Sequence, residues 1–406
     1  MFFSYFIASR LNPAGQQGLG RMAHRIGMVS VSLALAVSLC ACLVMQGFEQ
    51  DITQKLTGFH GQLQIRKYTL ARSYEELPVR AHQAQGLQEA FAQEINTIEP
   101  FAQQSILLRT AEAIEGVVCK GVDTGLSHQR LEPYLVDGRL MAPTYTQDSY
   151  EIVISHKIAH KLRLAVGDVV MACGVQQPMQ YQTLQVVGIY NTYVEDLDEK
   201  CILCDLRFIQ DLNGWPDTWV GGFDISLHDA TMPTQQLIAQ LQDSLDYDLI
   251  LQRTADTYAA LFDWLHIMHK DVMIFLTLIL LVASANIASA VMIQTMERTH
   301  LLGTLQALGA TRGQISRVML GMHRDLVGKG MLWGNLIALG LAAVQSKYKM
   351  VRLDPDYYYV THLPIAWHLK TLVCINAVVA LLVALVLLLS IRLILKIRPI
   401  QAIQWR

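Results

Sequence analysis

The sequence predicts a membrane protein in which four transmembrane α-helices carry a large α+β extracytoplasmic domain between helices 1 and 2. Three observations lead there. Of 406 residues, 52% are hydrophobic and only 16% charged, against about a quarter charged in an ordinary soluble domain. The missing charge is concentrated in four apolar stretches, each long enough to cross about 30 Å of hydrocarbon at about 1.5 Å per helical residue. The short segments beside these stretches are basic, and the one long segment is acidic.

The first two stretches, 26–48 and 272–296, contain no Asp, Glu, Lys or Arg. The fourth, 371–391, is nearly all Leu, Val, Ile and Ala. The third is the weakest: 326–345 holds Lys329 together with Gly328, Gly330, Gly334, Asn335 and Gly340. Small residues let helices approach closely in lipid, so this stretch reads as a bundle-facing helix. A soluble core helix is the competing reading.

Arg10, Arg21 and Arg25 precede the first stretch without an acid. Arg298, Arg312 and Arg317 stand against Glu297 between the second and third. Arg392, Lys396, Arg398 and Arg406 close the chain. Residues 49–271 carry 16 Lys or Arg against 30 Asp or Glu. Basic loops stay inside, so both termini are expected in the cytoplasm and the long domain outside. The expected organisation is therefore as follows. Residues 1–25 form a cytoplasmic amphipathic segment (Phe2, Phe3, Phe6, Ile7) and 26–48 the first span. The outer domain occupies 49–270, the second span 271–296, and a cytoplasmic helix and loop 297–317. The third span is 318–345, an outer loop 346–370, the fourth span 371–395, and a cytoplasmic tail 396–406. Leu39-Cys40-Ala41-Cys42 has some likeness to a lipobox, but a Cys at its second position is unusual, and an uncleaved span is the favoured reading.

In the long domain, 61–70, 105–122, 151–155, 169–172, 181–189 and 223–227 read as strands. Residues 87–98, 156–162, 208–212 and 233–245 read as helical, and 173–180 as a hairpin tip. This mixture is α+β. Cys201-Ile202-Leu203-Cys204 has CxxC spacing, but strand alternation would point the two thiols to opposite faces. Buried structural cysteines are favoured over a redox or zinc role. His156 and His160 share a helical face with no evident third ligand, so no metal or catalytic site is expected. No P-loop, H-E-x-x-H or G-x-S-x-G motif is present, so the chain is read as a non-enzyme that binds no cofactor directly.

After the second span the sequence runs ERTHLLGTLQALGATRGQISR from Glu297. Leu301, Leu302, Leu305 and Leu308 share one helical face, and Gly309-Ala310-Thr311 ends the helix. The plain reading is an interfacial helix; the sharper one is a coupling helix that docks in a groove on a cytoplasmic ATPase.

This segment, with the closing Pro399-Ile400-Gln401-Ala402-Ile403, resembles the signature of the FtsX-like ABC transporter permeases. The helix order resembles that family's topology, with a MacB-like periplasmic core domain. Further passages are similar to the lipoprotein-releasing permeases of the LolC/LolE type: Gly47-Phe48 with the short polar helix 51–57, Ser155 to Asp168, Val186 to Tyr190 with the acidic 195–198, Asn286-Ile287, and Leu353-Asp354-Pro355-Asp356-Tyr357 with Leu363-Pro364.

The resemblance implies a permease subunit that works with a LolD-like ATPase, a second permease subunit, identical or related, and a LolA-like carrier for lipoprotein clients in the inner membrane of a Gram-negative-type bacterium. ATP would act only through the partner ATPase. Glu297, Arg298, Leu301, Leu302, Leu305, Leu308, Gly309 and Ala310 would couple to that ATPase. Met45, Phe48, Leu265, Met268 and Ile274 are candidates for a lipoprotein chamber, with plain bundle or lipid packing the alternative for each. Gln176, Gln177, Pro178 and Met179 are candidates for a carrier hook, with an ordinary turn the alternative. A MacB-like machine for efflux or secretion and an FtsX-like regulator of envelope hydrolases are the other roles the family allows.

Overall fold

The computed structural model describes residues 19–68, 77–123, 130–142, 150–174, 181–228, 233–298, 303–305 and 307–396. Residues 1–18 of the expected N-terminal amphipathic segment, 175–180 of the hairpin tip and 397–406 of the cytoplasmic tail lie outside them, whereas 19–25 belong to the first long helix.

Along the chain the elements are α1 (Leu19–His60), β1 (Leu63–Lys67), β2 (Val79–Arg80), α2 (Gln85–Ala90), β3 (Ile95–Arg109), β4 (Ile114–Val122), β5 (Leu135–Gly138), β6 (Tyr150–Ser155) and α3 (His156–Leu162). Then follow β7 (Val169–Gly174), β8 (Tyr181–Tyr190), β9 (Cys201–Asp205), α4 (Leu206–Asn213), β10 (Trp219–Val220), β11 (Gly222–Leu227), α5 (Gln235–Asp243) and β12 (Leu249–Arg253). Three long helices complete the chain: α6 (Ala259–Met296), α7 (Arg312–Tyr348) and α8 (Leu369–Lys396). The chain divides into two compact units. One comprises Met1–Glu49, Trp264–Arg352 and His362–Arg406; the other comprises Gln50–Asp263 and Leu353–Thr361.

Among the described residues four helices are long and apolar enough to cross a bilayer. All are longer than the apolar runs that reveal them. Hydropathy marks only the lipid-length part of a helix, whereas the backbone stays helical wherever an apolar stripe persists. Residues 51–57, expected as a separate short helix, are thus the continuation of α1, with Ile52, Leu56 and Phe59 buried at helical spacing. At the other loop, α7 begins at Arg312, six residues before the expected third span. Thr311 and Gln314 form a reciprocal capping box there.

The weak third stretch packs as its small residues predict. A Cβ on Gly334 would lie 2.9 Å from Ser32 O and 3.0 Å from Leu35 Cβ, so α7 touches α1 backbone to backbone. Ser32 Oγ donates to Gly330 O at 2.9 Å. Asn335 and Asn376 exchange amide hydrogen bonds of 2.7 and 2.9 Å between α7 and α8.

In the sheet unit ten strands form one mixed sheet ordered β12-β1-β11-β3-β4-β9-β6-β8-β5, with β7 joining β3 to β8. The pairing β3-β4-β9-β6-β8-β7-β3 therefore closes on itself like a small barrel. Two of its contacts, β4–β9 and β6–β8, are parallel. Its inward side chains alternate with outward ones, as strand geometry requires. Ile106 and Leu108 are buried, whereas Leu107 is 38% exposed. Val170 and Ala172 are likewise buried, whereas Val169 and Met171 are exposed. Helices α3 and α4 close the core with Ile158, Leu162, Phe208 and Ile209.

One expectation fails. Residues 87–98 were predicted as a single helix, but α2 ends at Ala90 and β3 begins at Ile95. Leu87 and Phe91 do keep helical spacing. Ile95, Thr97 and Ile98, however, pair with Leu227, Ser226 and Ile225 of β11, where β-branched side chains fit the pleat.

Candidate functional site

Two places in the helical unit have the geometry of working surfaces. The first follows α6. Gly303–Leu305 and Ala307 are helical. Leu308 N bonds Thr304 O and Ala310 N bonds Leu305 O, both at 3.0 Å, and Gly309 has φ 91°. A left-handed glycine one position past the last helical turn is a standard helix stop, and it costs glycine no Cβ clash. The Leu-Gly-Ala turn is thus a defined corner. Leu308 is 84% exposed and Leu305 half-buried, so the apolar face presents one leucine fully to its surroundings. Leu301 and Leu302 lie outside the described residues.

Glu297 and Arg298 behave differently from these leucines. Glu297 Oε1 accepts the backbone N–H of Gly20 at 2.7 Å, in the first turn of α1. Arg298 is buried, with Nη1 4.0 Å from Met322 Sδ on α7. The pair therefore ties the end of α6 to the start of α1 and to α7. Nothing in the local sequence signals a contact 277 residues away.

The second place is an apolar groove of about 330 Å³ between α1 and α6. Leu33, Val37, Phe275, Leu278, Ile279 and Val282 form most of its walls, with Ala34 and Ala283 leaving the room; Ser30 and Asn286 supply its polar atoms. None of the five chamber candidates lines it. Met45 and Phe48 are buried on a stretch of α1 that packs against 364–371, where Ala366 N donates to Leu43 O and Thr371 Oγ1 to Gln46 Oε1. Leu265 is buried, Met268 half-buried and Ile274 60% exposed. The five candidates lie on the same two helices as the groove, but on other stretches of them. The usable signal was the pairing of small Ala34 and Ala283 with exposed large neighbours such as Leu33 and Leu278.

The remaining sequence candidates resolve simply. His156 and His160 are exposed on α3. Among the described residues no group of three His, Cys, Asp or Glu side chains is placed to hold a metal. Cys201 and Cys204 are buried in β9, and burial pushes the Cys201 thiol up to about 12, far from the thiolate that CxxC redox chemistry uses. Gln176, Gln177, Pro178 and Met179 lie outside the described residues, between the paired strands β7 and β8.

The sheet unit has its own buried polar centre. Lys120 Nζ donates to Asp224 Oδ2 and to Phe59 O, each at 2.5 Å, and to His60 Nδ1 at 3.1 Å. Gln64 Nε2 donates to Asp224 Oδ1 at 2.6 Å. Because His60 Nδ1 faces the Lys120 ammonium, it must be the acceptor. Nε2 then carries the proton toward Tyr258 Oη, 2.7 Å away. Burial, offset by Asp224, lowers the Lys120 pKa. This cluster pins the end of α1 and the residue before α6 to β4 and β11. The segment Leu353–Thr361 belongs to the same unit, and Lys55 Nζ donates to Tyr359 O at 2.8 Å.

Residues 26–253 match the model of the MacB-like periplasmic core domain, and 273–399 match the FtsX-like permease C-terminal model. The chain is 21% identical over 401 residues to the lipoprotein-releasing system transmembrane protein LolE of Haemophilus influenzae, covering 93% of each chain. Among solved structures, the periplasmic region of MacB from Actinobacillus actinomycetemcomitans is 13% identical (TM-score 0.35, 50% of this chain and 92% of that one). The extracellular domain of the noncanonic ABC-type transporter YknZ from Gram-positive bacteria is 15% identical (TM-score 0.32, 47% and 99%). The chain belongs to the FtsX-like permeases of ABC transporters that carry a MacB-like periplasmic core domain.

Proposed function

We propose that this permease extracts lipoproteins from the inner membrane and passes them to a periplasmic carrier, driven by a separate ATPase subunit. The observation that carries this reading is the apolar groove between α1 and α6. Its walls suit an acyl chain and offer it no charge. Removing such a chain from a bilayer costs about 0.8 kcal/mol per buried methylene, which calls for an external energy source. The distant relationship to a protein named as lipoprotein-releasing supports the same substrate class. In this reading all four long helices cross the membrane, both termini are cytoplasmic and the sheet unit is outside, in keeping with the charge of the loops. The turn at Leu308-Gly309-Ala310 sets the apolar face of the coupling segment toward the ATPase. Glu297 and Arg298 hold that segment to the bundle rather than touching the partner. A second permease subunit, identical or related, completes the complex, and a LolA-like carrier receives the client.

The second reading is a MacB-like machine that moves no client between its helices; the family-model match over 26–253 favours it. Depletion of the protein separates the two. Lipoprotein release predicts that outer-membrane lipoproteins accumulate in the inner membrane, read by fractionation. Unchanged sorting sinks the release reading. Replacing Leu305 and Leu308 by Asp is expected to abolish co-purification of the ATPase while the permease still inserts; retained ATPase would remove the coupling assignment.

A further inference from the structure

Cys119, Cys173, Cys201 and Cys204 are all buried in the sheet unit. The CxxC spacing makes Cys201 and Cys204 look like a pair, but β9 turns them to opposite sides. Cys204 faces the barrel core with Ile202, and Cys201 does not belong to that core cluster. The neighbour that the fold gives Cys204 comes from another strand. In the parallel β4–β9 pairing, Cys119 is opposite Ile202 and Gly121 is opposite Cys204. Cys119 therefore shares a face with Cys204, one inward position away on the adjacent strand. Both side chains have no exposed surface, and their sulfurs are in contact at 2.8 Å.

We propose that Cys119 and Cys204 form a disulfide in the mature protein, stapling β4 to β9 inside the closed barrel. The inference rests on the placement of the sheet unit outside the cytoplasm, where disulfides persist. The bridge joins residues 85 apart in sequence across a parallel contact, which no short turn holds together. Both side chains are fully buried, so no external oxidant reaches the pair once the core is closed, and the bond forms while the sheet assembles. The thiolate of one cysteine attacks a sulfur of an external disulfide oxidant, expelling one oxidant thiolate. The second cysteine attacks the resulting mixed disulfide and expels the other. In sum, two S–H bonds and the oxidant disulfide are broken, and the Cys119–Cys204 bond is formed. Two protons and two electrons leave the cysteines, and the oxidant becomes a dithiol.

The test is made on the full chain. Cells are lysed in N-ethylmaleimide, and the protein is purified without reductant, unfolded in the same reagent and weighed. The sequence has seven cysteines. Five maleimide additions and a linked peptide pair containing Cys119 and Cys204, both converted by prior reduction to seven additions and separate peptides, are expected. Seven additions without reduction, or a bridge that uses Cys201 or Cys173 instead, overturn the proposal. Protease added to spheroplasts reads the placement of the sheet unit separately. Free thiols in a digested sheet unit refute the pairing itself. Free thiols in a protected one refute the outer placement, and the bridge falls with it.

Discussion

In the sheet unit a lysine and an aspartate are buried together, at 0% and 2% side-chain exposure, and the cluster around them is built from β1, β4, β11, the end of α1 and Tyr258. In the apolar stretches of the helical unit neutral groups make the hydrogen bonds between helices, among them Ser32 to a backbone carbonyl of α7, Asn335 with Asn376 and Thr371 with Gln46. The contrast has a physical origin. A buried ion pair is tolerated only when further donors and acceptors satisfy both charges, and a mixed sheet can aim several elements at one point. Packed helices satisfy their own backbone, so what remains between them is close contact of small residues and an occasional amide. Arg298, buried at the end of α6, sits at the margin of the apolar stretch rather than within it.

The largest effect expected from this contrast is at Lys120. Replacing it by Met strands Asp224 in the core and is expected to cost about 3–5 kcal/mol. Thermal unfolding of the solubilised chain, followed by tryptophan fluorescence, reads the loss. The double change Lys120→Met with Asp224→Leu is expected to recover most of it. A double variant as unstable as the single one would show that the cluster is needed as a network rather than as a tolerated pair.

At Asn335 the expected effect is smaller. Asn335→Leu leaves Asn376 Oδ1 without its Asn335 donor and is expected to cost about 0.6–1.7 kcal/mol. Adding Asn376→Leu should bring stability back near the starting value, read by the same melting curve. A larger penalty than at Lys120 would reverse the comparison between the two units.

The smallest effect concerns the Arg139–Glu151 pair on the sheet unit, which is largely open to solvent. The Arg139 hydrogen bonds hold the Glu151 carboxyl below the usual carboxylate range. Its stabilisation is therefore present above the ordinary carboxylate pKa, near pH 4, and is lost as pH falls through the lower folded value. Glu151→Gln should remove that share of the acid sensitivity, at most about 0.5 kcal/mol for an exposed pair. Melting curves between pH 3 and 7 that overlay for both forms once the Gln offset is subtracted would discard it.

What was legible in the sequence is what local pattern encodes. Runs of Leu, Val and Ala disclose the four long helices. Two-residue alternation discloses β7 and β8, and Gly309 discloses the stop after the Leu-rich segment. Where two local patterns compete, as at Leu87 to Ile98, strand partners decide, and those lie in β11. The groove was missed because its walls come from two helices about 250 residues apart.

By itself, then, the sequence determined four long apolar helices and one large α+β domain between the first and second, since hydropathy and charge act on each segment separately. Tertiary structure alone decided that β3, β4, β9, β6, β8 and β7 close into a barrel, that Lys120 meets Asp224 and Cys119 meets Cys204, and that Glu297 serves the first turn of α1. The three side-chain contacts join residues 85 or more positions apart. Only the folded chain brings such groups within hydrogen-bonding distance, and no periodicity along the sequence encodes it.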